Sequence, residues 1–357
     1  MFIFTESRGK VLVTGGAGFI GGALVRYLLM NTMMEIYVVD KMGYSSDLHS
    51  VRKTISHLGL KAENRITFYT ADISNKNDID NAIQISSPDI VFHLAAESHV
   101  DRAIIKPQNF LKSNVIGTFN LLESLLIYWE KLPKIRKSNF RFIHISTDEV
   151  FGSLGDMDYF TEETPYNPRN PYAATKAASD HFVKSWFYTY NFPIIITNSS
   201  NNFGPWQFPE KLIPMVITNA LSNRSIPVYG DGKNIRDWLY VEDHIEALIN
   251  VCNKGQLGDS YCISSENERS NKQIIEFICN ILDKERPRFA PHFKLIKYIE
   301  DRPGHDRRYA IKPFKIRDKL GWQSRYDFDR YLTKTVLWYL DNTKWVKSVI
   351  MKSKNNI

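Results

Sequence analysis

Val11-Leu-Val-Thr-Gly-Gly-Ala-Gly-Phe-Ile-Gly21 decides the fold: a short β-branched run enters a glycine turn, and a helical stretch over residues 19–30 follows. A turn without side chains lets a pyrophosphate reach the helix N-terminus, where free backbone N–H groups and the helix dipole favour an anion. Gly15 and Gly18 permit that approach, Gly21 permits close packing of the helix on the sheet, and Phe19 and Ile20 open the helix beside the phosphates. A glycine triplet also serves an ordinary tight turn. What selects dinucleotide binding is the strand before it and Asp40, which ends the next apolar run, residues 35–40. Asp40 suits the adenosine ribose hydroxyls and repels a 2′-phosphate, so NAD is expected over NADP, with Lys41 counting slightly against.

Further apolar runs at residues 66–71, 90–95, 142–147 and 193–199 alternate with helical stretches at 77–85, 108–129 and 172–190. Unbroken apolar strands suit a parallel sheet covered on both faces, and the alternation predicts a doubly wound α/β architecture. Asp72 and Ile73 close the third strand, and Leu94, Ala95 and Ala96 the fourth, at the carboxyl edge where the dinucleotide would lie. Close packing accounts equally well for the two alanines. After residue 201 the texture changes, with Pro205, Pro209, Pro214 and Pro227 among irregular polar stretches. A cofactor domain over 1–200 and a smaller, mixed α/β substrate lobe over 201–357 are expected. Part of 238–265, with a helix at 241–251 and a strand at 260–263, is expected to return to the larger domain.

The chain has 357 residues, 43% of them hydrophobic, enough for one large α/β domain or a large domain with a smaller lobe. Its formal charge of +7 and pI near 9.0 are spread along the chain, with clusters at 131–141 and in the tail from Lys347. Solvated basic faces and a frayed terminus are expected rather than a nucleic-acid surface, and a basic cleft for a diphosphate is compatible with both. Cys252, Cys262 and Cys279 show no metal-ligand spacing and suit a reducing compartment. Four apolar residues open the chain, but Glu6, Arg8 and Lys10 follow, so neither a signal peptide nor a membrane span is expected and the location should be cytoplasmic.

Tyr172 and Lys176 are four apart and share a helix face. An ammonium beside a phenol favours the phenolate, so Tyr172 is a candidate base for a sugar hydroxyl and Thr147 a candidate partner of the reacting oxygen. Asp148 and Glu149 stand at the end of the fifth apolar run. Two adjacent carboxylates in an enclosed site repel, so a neutral acid can coexist with a charged base. The bland alternative is a turn or helix-capping pair. An ordinary dehydrogenase has no use for the two acids, which point to additional proton transfer.

The glycine turn, His93-Leu-Ala-Ala-Glu-Ser-His-Val-Asp-Arg102, Ser146-Thr-Asp-Glu-Val-Phe-Gly152, Tyr172-x-x-x-Lys176, Asn201-Asn-Phe-Gly-Pro205, Pro209-Glu-Lys-Leu-Ile-Pro214, Arg236-Asp-Trp-Leu-Tyr-Val-Glu-Asp243 and Arg302-Pro-Gly-His-Asp306 together resemble the dTDP-glucose 4,6-dehydratases of the extended short-chain dehydrogenase/reductase family. The resemblance runs from about Lys10 to Trp322 and implies a Rossmann sheet with tightly bound NAD. It implies C4 oxidation with Tyr172 as base, activated by Lys176 and with Thr147 orienting the oxygen. Glu149 would then remove the C5 proton, Asp148 protonate the departing C6 hydroxyl, and hydride return to C6. For the nucleotide sugar it implies Asn201, Lys211, Arg236, Arg302 and His305, with Ser98 and His99 near the sugar. Read without it, Arg236 would be a surface ion pair with Asp237 and His305 an exposed loop residue.

Phe151 stands where tyrosine is common in the family, Thr175 where serine is, and Gly43 where threonine is often seen; none removes a reacting group. UDP- or CDP-glucose 4,6-dehydratases are the nearest rivals, a 4-epimerase is more distant, and a non-catalytic NAD-binding sensor belongs to another class. The helices at 108–129 and 172–190 carry Leu121, Leu125, Trp186 and Phe187, and the resemblance implies a homodimer through a four-helix interface. Burial of those side chains within one chain is the alternative.

Overall fold

The computed structural model describes residues 9–355; residues 1–8, on which the reading against a leader peptide rests, lie outside it. Among the described residues the strands are β1 (Lys10–Thr14), β2 (Glu35–Asp40), β3 (Ile66–Thr70), β4 (Ile90–His93), β5 (Arg141–Thr147), β6 (Ile194–Ser199), β7 (Asn201–Phe203), β8 (Ile226–Tyr229), β9 (Ile235–Tyr240), β10 (Ser260–Ile263), β11 (Glu268–Ser270) and β12 (Ile296–Ile299). The first six and β10 form one parallel sheet in the order β3-β2-β1-β4-β5-β6-β10. The direction of winding reverses between β1 and β4, and the crevice at their carboxyl ends is where such sheets bind ligands.

Both faces of the central strands are buried, which is why their sequences run apolar without alternation. Val11, Val13, Phe92, Ile143 and Ile195 pack with the Phe19–Asn31 and Val241–Lys254 helices. Leu12, Val91, Phe142, Ile194 and Ile196 pack on the other side, under the Lys76–Ser86, Gly117–Glu130 and Pro171–Tyr190 helices. Each fully buried side chain of this size stabilises the fold by about 1.5–3 kcal/mol. β10 pairs in parallel with β6, so this late strand sits at the edge of the large sheet.

The second lobe is built on β7, β9 and β11, with β9 parallel to β7 and antiparallel to β11, and on a separate parallel pair, β8 and β12. Its core is strongly aromatic: Phe203, Trp238, Tyr240, Phe328, Tyr339 and Trp345 are buried together. Two expectations need correction here. The basic tail is a docked helix, Thr343–Asn355, rather than a frayed end: Trp345, Val346 and Val349 are buried, Trp345 Nε1 donates to Asp47 Oδ2 at 2.8 Å, and Lys352 Nζ donates to the Ser46 carbonyl at 2.6 Å. The side chains named for a four-helix interface are spent within the chain: Leu121 and Leu125 are fully buried, Trp186 nearly so, and Phe187 packs on the same core. Among the large apolar groups left outside on these elements are Leu111, Ile116, Ile127 and Phe182, with Tyr188 and Tyr190 at the end of the second helix. The helix expected over 108–129 is also interrupted, by a π-helical turn at Leu111–Ile116.

All three cysteines are free and buried. No helix among the described residues is long and apolar enough to cross a membrane.

Candidate active site

A cleft of about 300 Å³ opens at the carboxyl edge of the large sheet, between the glycine turn and the second lobe. Gly15 has φ +72, and a Cβ there would lie 2.6 Å from the Ala95 backbone nitrogen, so the residues after β1 and β4 can meet only without a side chain. A Cβ on Gly21 would lie 2.2 Å from the Gly15 carbonyl oxygen. Gly21 therefore fits the helix to the turn itself, where the sequence had suggested close packing on the sheet. The Phe19–Asn31 helix has no side-chain cap at Gly18, which leaves its first N–H groups free for a phosphate.

Gly15, Gly18, Phe19, Ile20, Gly21, Asp40, Ile73, Leu94, Ala95 and Ala96 line the cleft. Asp72 stands back from it, its carboxylate taken by the backbone and hydroxyl of Ser74 at 2.9 and 2.8 Å. Asp40 Oδ1 accepts from Met42 N at 2.8 Å and Ser46 Oγ at 2.7 Å, and Oδ2 from Ala17 N at 3.1 Å. The carboxylate thus ties together the loop beside the cleft while keeping lone pairs for a ribose. Lys41, on the wall of the same cleft, is paired with Glu97 and Ser113, which offsets the charge that argued for a 2′-phosphate. The uncapped helix, the side-chain-free turn and the Asp40 carboxylate fit a dinucleotide such as NAD.

β5 delivers the candidate reacting groups, because its last residue, Thr147, leads into a 3-10 turn, Asp148–Phe151. Thr147 Oγ1 accepts from Glu149 N and donates to Asp148 Oδ1, each at 3.3 Å. Asp148 is only 2% exposed. Burial, then the Glu149 carboxylate, push its pKa well above the usual range, so Asp148 is a neutral acid. Its Oδ2 has no hydrogen-bond partner among the described residues, which leaves a proton donor available to a substrate. Glu149 Oε2 accepts from Asn170 Nδ2 at 3.1 Å. Asn170 also caps the Pro171–Tyr190 helix, its Oδ1 accepting from Ala173 N at 2.9 Å, so one residue fixes both the helix and the second acid.

That helix places Tyr172 and Lys176 on the same cleft as Thr147. The expected lowering of the phenol's pKa is not what the geometry produces: burial and then Glu149 raise it, with Thr147 opposing. Lys176 Nζ donates to the Ile145 carbonyl at 2.8 Å, and burial lowers its own pKa while Asp180 opposes.

Asn201 lines the cleft with its Oδ1 unpartnered, Ser98 lines it too, and Lys211 Nζ donates to the Ser98 carbonyl at 2.8 Å. His99 lies 3.8 Å from Glu210, and burial lowers its pKa. Arg236, Arg302 and His305 do not line the cavity. Arg236 is buried over the Tyr309 ring at 4.1 Å, with Nη2 donating to the Asp306 carbonyl at 3.0 Å, and Glu149 and Asp148 are among the charges acting on it. It is neither exposed nor paired with Asp237. Arg302 reaches Asp101 at 3.2 Å and donates to His305 Nε2 at 3.1 Å. Burial and Arg302 lower the His305 pKa to about 4, so the imidazole is neutral.

Sequence reasoning missed Asn170, whose signal was an Asn-Pro pair opening a helix, and Glu210, inside a quoted motif. Glu210 accepts from Tyr44 OH at 2.9 Å and lies 3.4 Å from Arg102, whose guanidinium stacks on Tyr44 at 3.7 Å, so the second lobe is fastened to the loop after β2.

The profile of the family described as GDP-mannose 4,6 dehydratase matches residues 12–335. A dTDP-glucose 4,6-dehydratase of Neisseria meningitidis serogroup B is 48% identical over 347 residues, 96% of each chain. A crystal structure of a Bacillus anthracis dTDP-glucose 4,6-dehydratase in complex with NAD superposes with a TM-score of 0.82 at 38% identity, covering 95% of this chain and 99% of that one. One from Streptomyces venezuelae with NAD and TYD (thymidine diphosphate) bound superposes with a TM-score of 0.85 at 34% identity and the same coverage.

Proposed function

The chain belongs to the family described as GDP-mannose 4,6 dehydratase and, within it, to the dTDP-glucose 4,6-dehydratases, and from that premise we propose that it converts dTDP-glucose into dTDP-4-keto-6-deoxyglucose. The observation that carries the reading is the neutral, partly unpartnered Asp148 beside Glu149, a donor and an acceptor of protons at one strand end. Tyr172 takes the C4 hydroxyl proton. It can do so only as the phenolate; its raised pKa makes loss of the phenol's own proton the demanding step, and Lys176 is the protein cation placed to favour that loss. NAD, when bound, supplies the hydride acceptor for C4 and the donor for C6. Glu149, steadied by Asn170, removes the C5 proton that the C4 ketone acidifies. Asp148 gives its proton to the C6 hydroxyl, which leaves as water, and C6 then gains hydride while Glu149 gives a proton back to C5. Asn201 and Lys211, which line the cleft, would hold the nucleotide diphosphate, and Arg236 and Arg302, which lie outside the cavity, would have to turn from Asp306 and Asp101 to add a planar guanidinium able to pair two oxygens at once.

We further propose a homodimer. Leu111, Ile116 and Phe182 are 52%, 46% and 37% exposed on two neighbouring helical elements that a second copy would cover. Sedimentation of a Phe182→Asp variant should show monomer where the unaltered chain shows dimer. The free, buried cysteines suit the reducing cytoplasm we assign to the protein. Incubating the purified protein with dTDP-, UDP-, CDP- and GDP-linked hexoses tests the activity. The 4-keto product should form fastest from dTDP-glucose, and a faster turnover of another nucleotide sugar, or epimerisation without water loss, refutes it.

A further inference from the structure

Asp180 lies one turn after Lys176 on the Pro171–Tyr190 helix and is 2% exposed. Three donors converge on its carboxylate: His144 Nε2 on Oδ1 at 3.0 Å, and Ser146 Oγ at 2.6 Å and Tyr166 OH at 2.9 Å on Oδ2. A carboxylate out of water stays charged only where donors and a cation replace the lost hydration. Burial raises its pKa, but His144, Lys176 and Ser146 outweigh that and hold it low. Lys176 has the mirror-image need, since it is a buried ammonium whose one described hydrogen bond goes to the Ile145 carbonyl. A four-residue spacing puts the two side chains on one helix face.

We propose that Asp180 is a positioning residue of the reaction: clamped by His144, Ser146 and Tyr166, it keeps the Lys176 ammonium charged and in place beside Tyr172. This rests on Tyr172 acting as the base. The surrounding groups do not compete for that task. His93 on β4 and His144 on β5 are kept neutral by burial. Asp148 is a neutral acid, and Glu149 acts on Tyr172. On the elements packed against the helix, Asp101 and Arg102 are engaged by Arg302 and Glu210, Lys112 is exposed, and Glu123 and Tyr128 lie further along the Gly117–Glu130 helix. Arg141 begins β5, at the far end from Thr147.

The test is the pH dependence of kcat for the NAD-loaded enzyme. At a separation of about 6 Å and an effective dielectric of about 20, removing the carboxylate lowers the lysine's ionisation by roughly one to two pH units. Asp180→Asn should move the alkaline limb down by that amount with KM changed less than about threefold. Tyr166→Phe removes a donor without removing the charge and should leave the limb in place. A folded Asp180→Asn protein with an unmoved limb overturns the proposal. Because that variant can fail to fold, Lys176 is also read in the unaltered protein by NMR of 13Cε-labelled lysine, its signal assigned by its loss in Lys176→Arg. Protonation persisting beyond about pH 9 supports the proposal, and a neutral amine at about pH 7 overturns it. This second readout needs no substrate, so it stands apart from any error about which sugar nucleotide is used.

Discussion

Asp148→Asn keeps the shape of the side chain and its contact with Thr147 but removes the proton with which the C6 hydroxyl leaves. General acids contribute about 10²–10⁴ in rate. That is roughly 2.7–5.4 kcal/mol of barrier at about 1.36 kcal/mol per tenfold. Oxidation at C4 does not use this proton, so rapid mixing with dTDP-glucose should show reduced cofactor accumulating while the 4-keto-6-deoxy product appears more slowly by that factor. Stability should move the other way. In the unfolded chain the carboxyl ionises near pH 3.9, whereas in the fold burial and Glu149 hold it neutral to well above that. Folding therefore takes up a proton, and the wild-type protein loses stability as pH rises from about 4 toward the raised value. Asparagine has no such cost, so the variant should melt higher at about pH 8 and converge with the wild type near pH 4. Product formation within about tenfold of wild type, or a variant that melts lower at pH 8 with no convergence, refutes the assignment of Asp148 as a buried neutral acid.

Gly21→Ala would force a Cβ to within 2.2 Å of the Gly15 carbonyl, distorting the phosphate turn. The purified variant should carry little NAD, measured as nucleotide released on denaturation, and a wild-type content would contradict the fit. Asn170→Ala removes a helix cap, costing about 1 kcal/mol, together with the hydrogen bond that steadies Glu149. Melting should fall and kcat drop about tenfold at constant KM, while Asn170→Ser should recover the cap and not the rate. Unchanged kcat in both variants would free Glu149 from dependence on Asn170.

The large sheet was legible because β1, β4, β5 and β6 are buried on both faces and so run apolar, with the glycine turn after β1 and the two acids after β5 as markers. The second lobe was not. Its core joins Phe203 to Phe328 and Tyr240 to Tyr331 across long sequence separations, which no local period reveals. The terminal helix read as a basic tail because its lysines outnumber its anchors, although Trp345, Val346 and Val349 fall on one face and are buried. The five candidate reacting residues stood out by type and spacing, but their ionisation did not. A Tyr-x-x-x-Lys spacing says nothing of the Glu149 charge acting on the phenol, or of the Ile145 carbonyl bonded to the ammonium and the Asp180 charge acting on it. Asp180 was not singled out by any motif, and only the convergence of His144, Ser146 and Tyr166 on its carboxylate draws attention to it.

Conversion of dTDP-glucose in deuterated water, followed by mass spectrometry with the label located on the sugar, tests the central claim most directly. Two acids and a returning hydride predict a product that has lost one water and carries solvent deuterium at C5 only. A product without solvent deuterium, or one labelled with its water retained, would contradict the account.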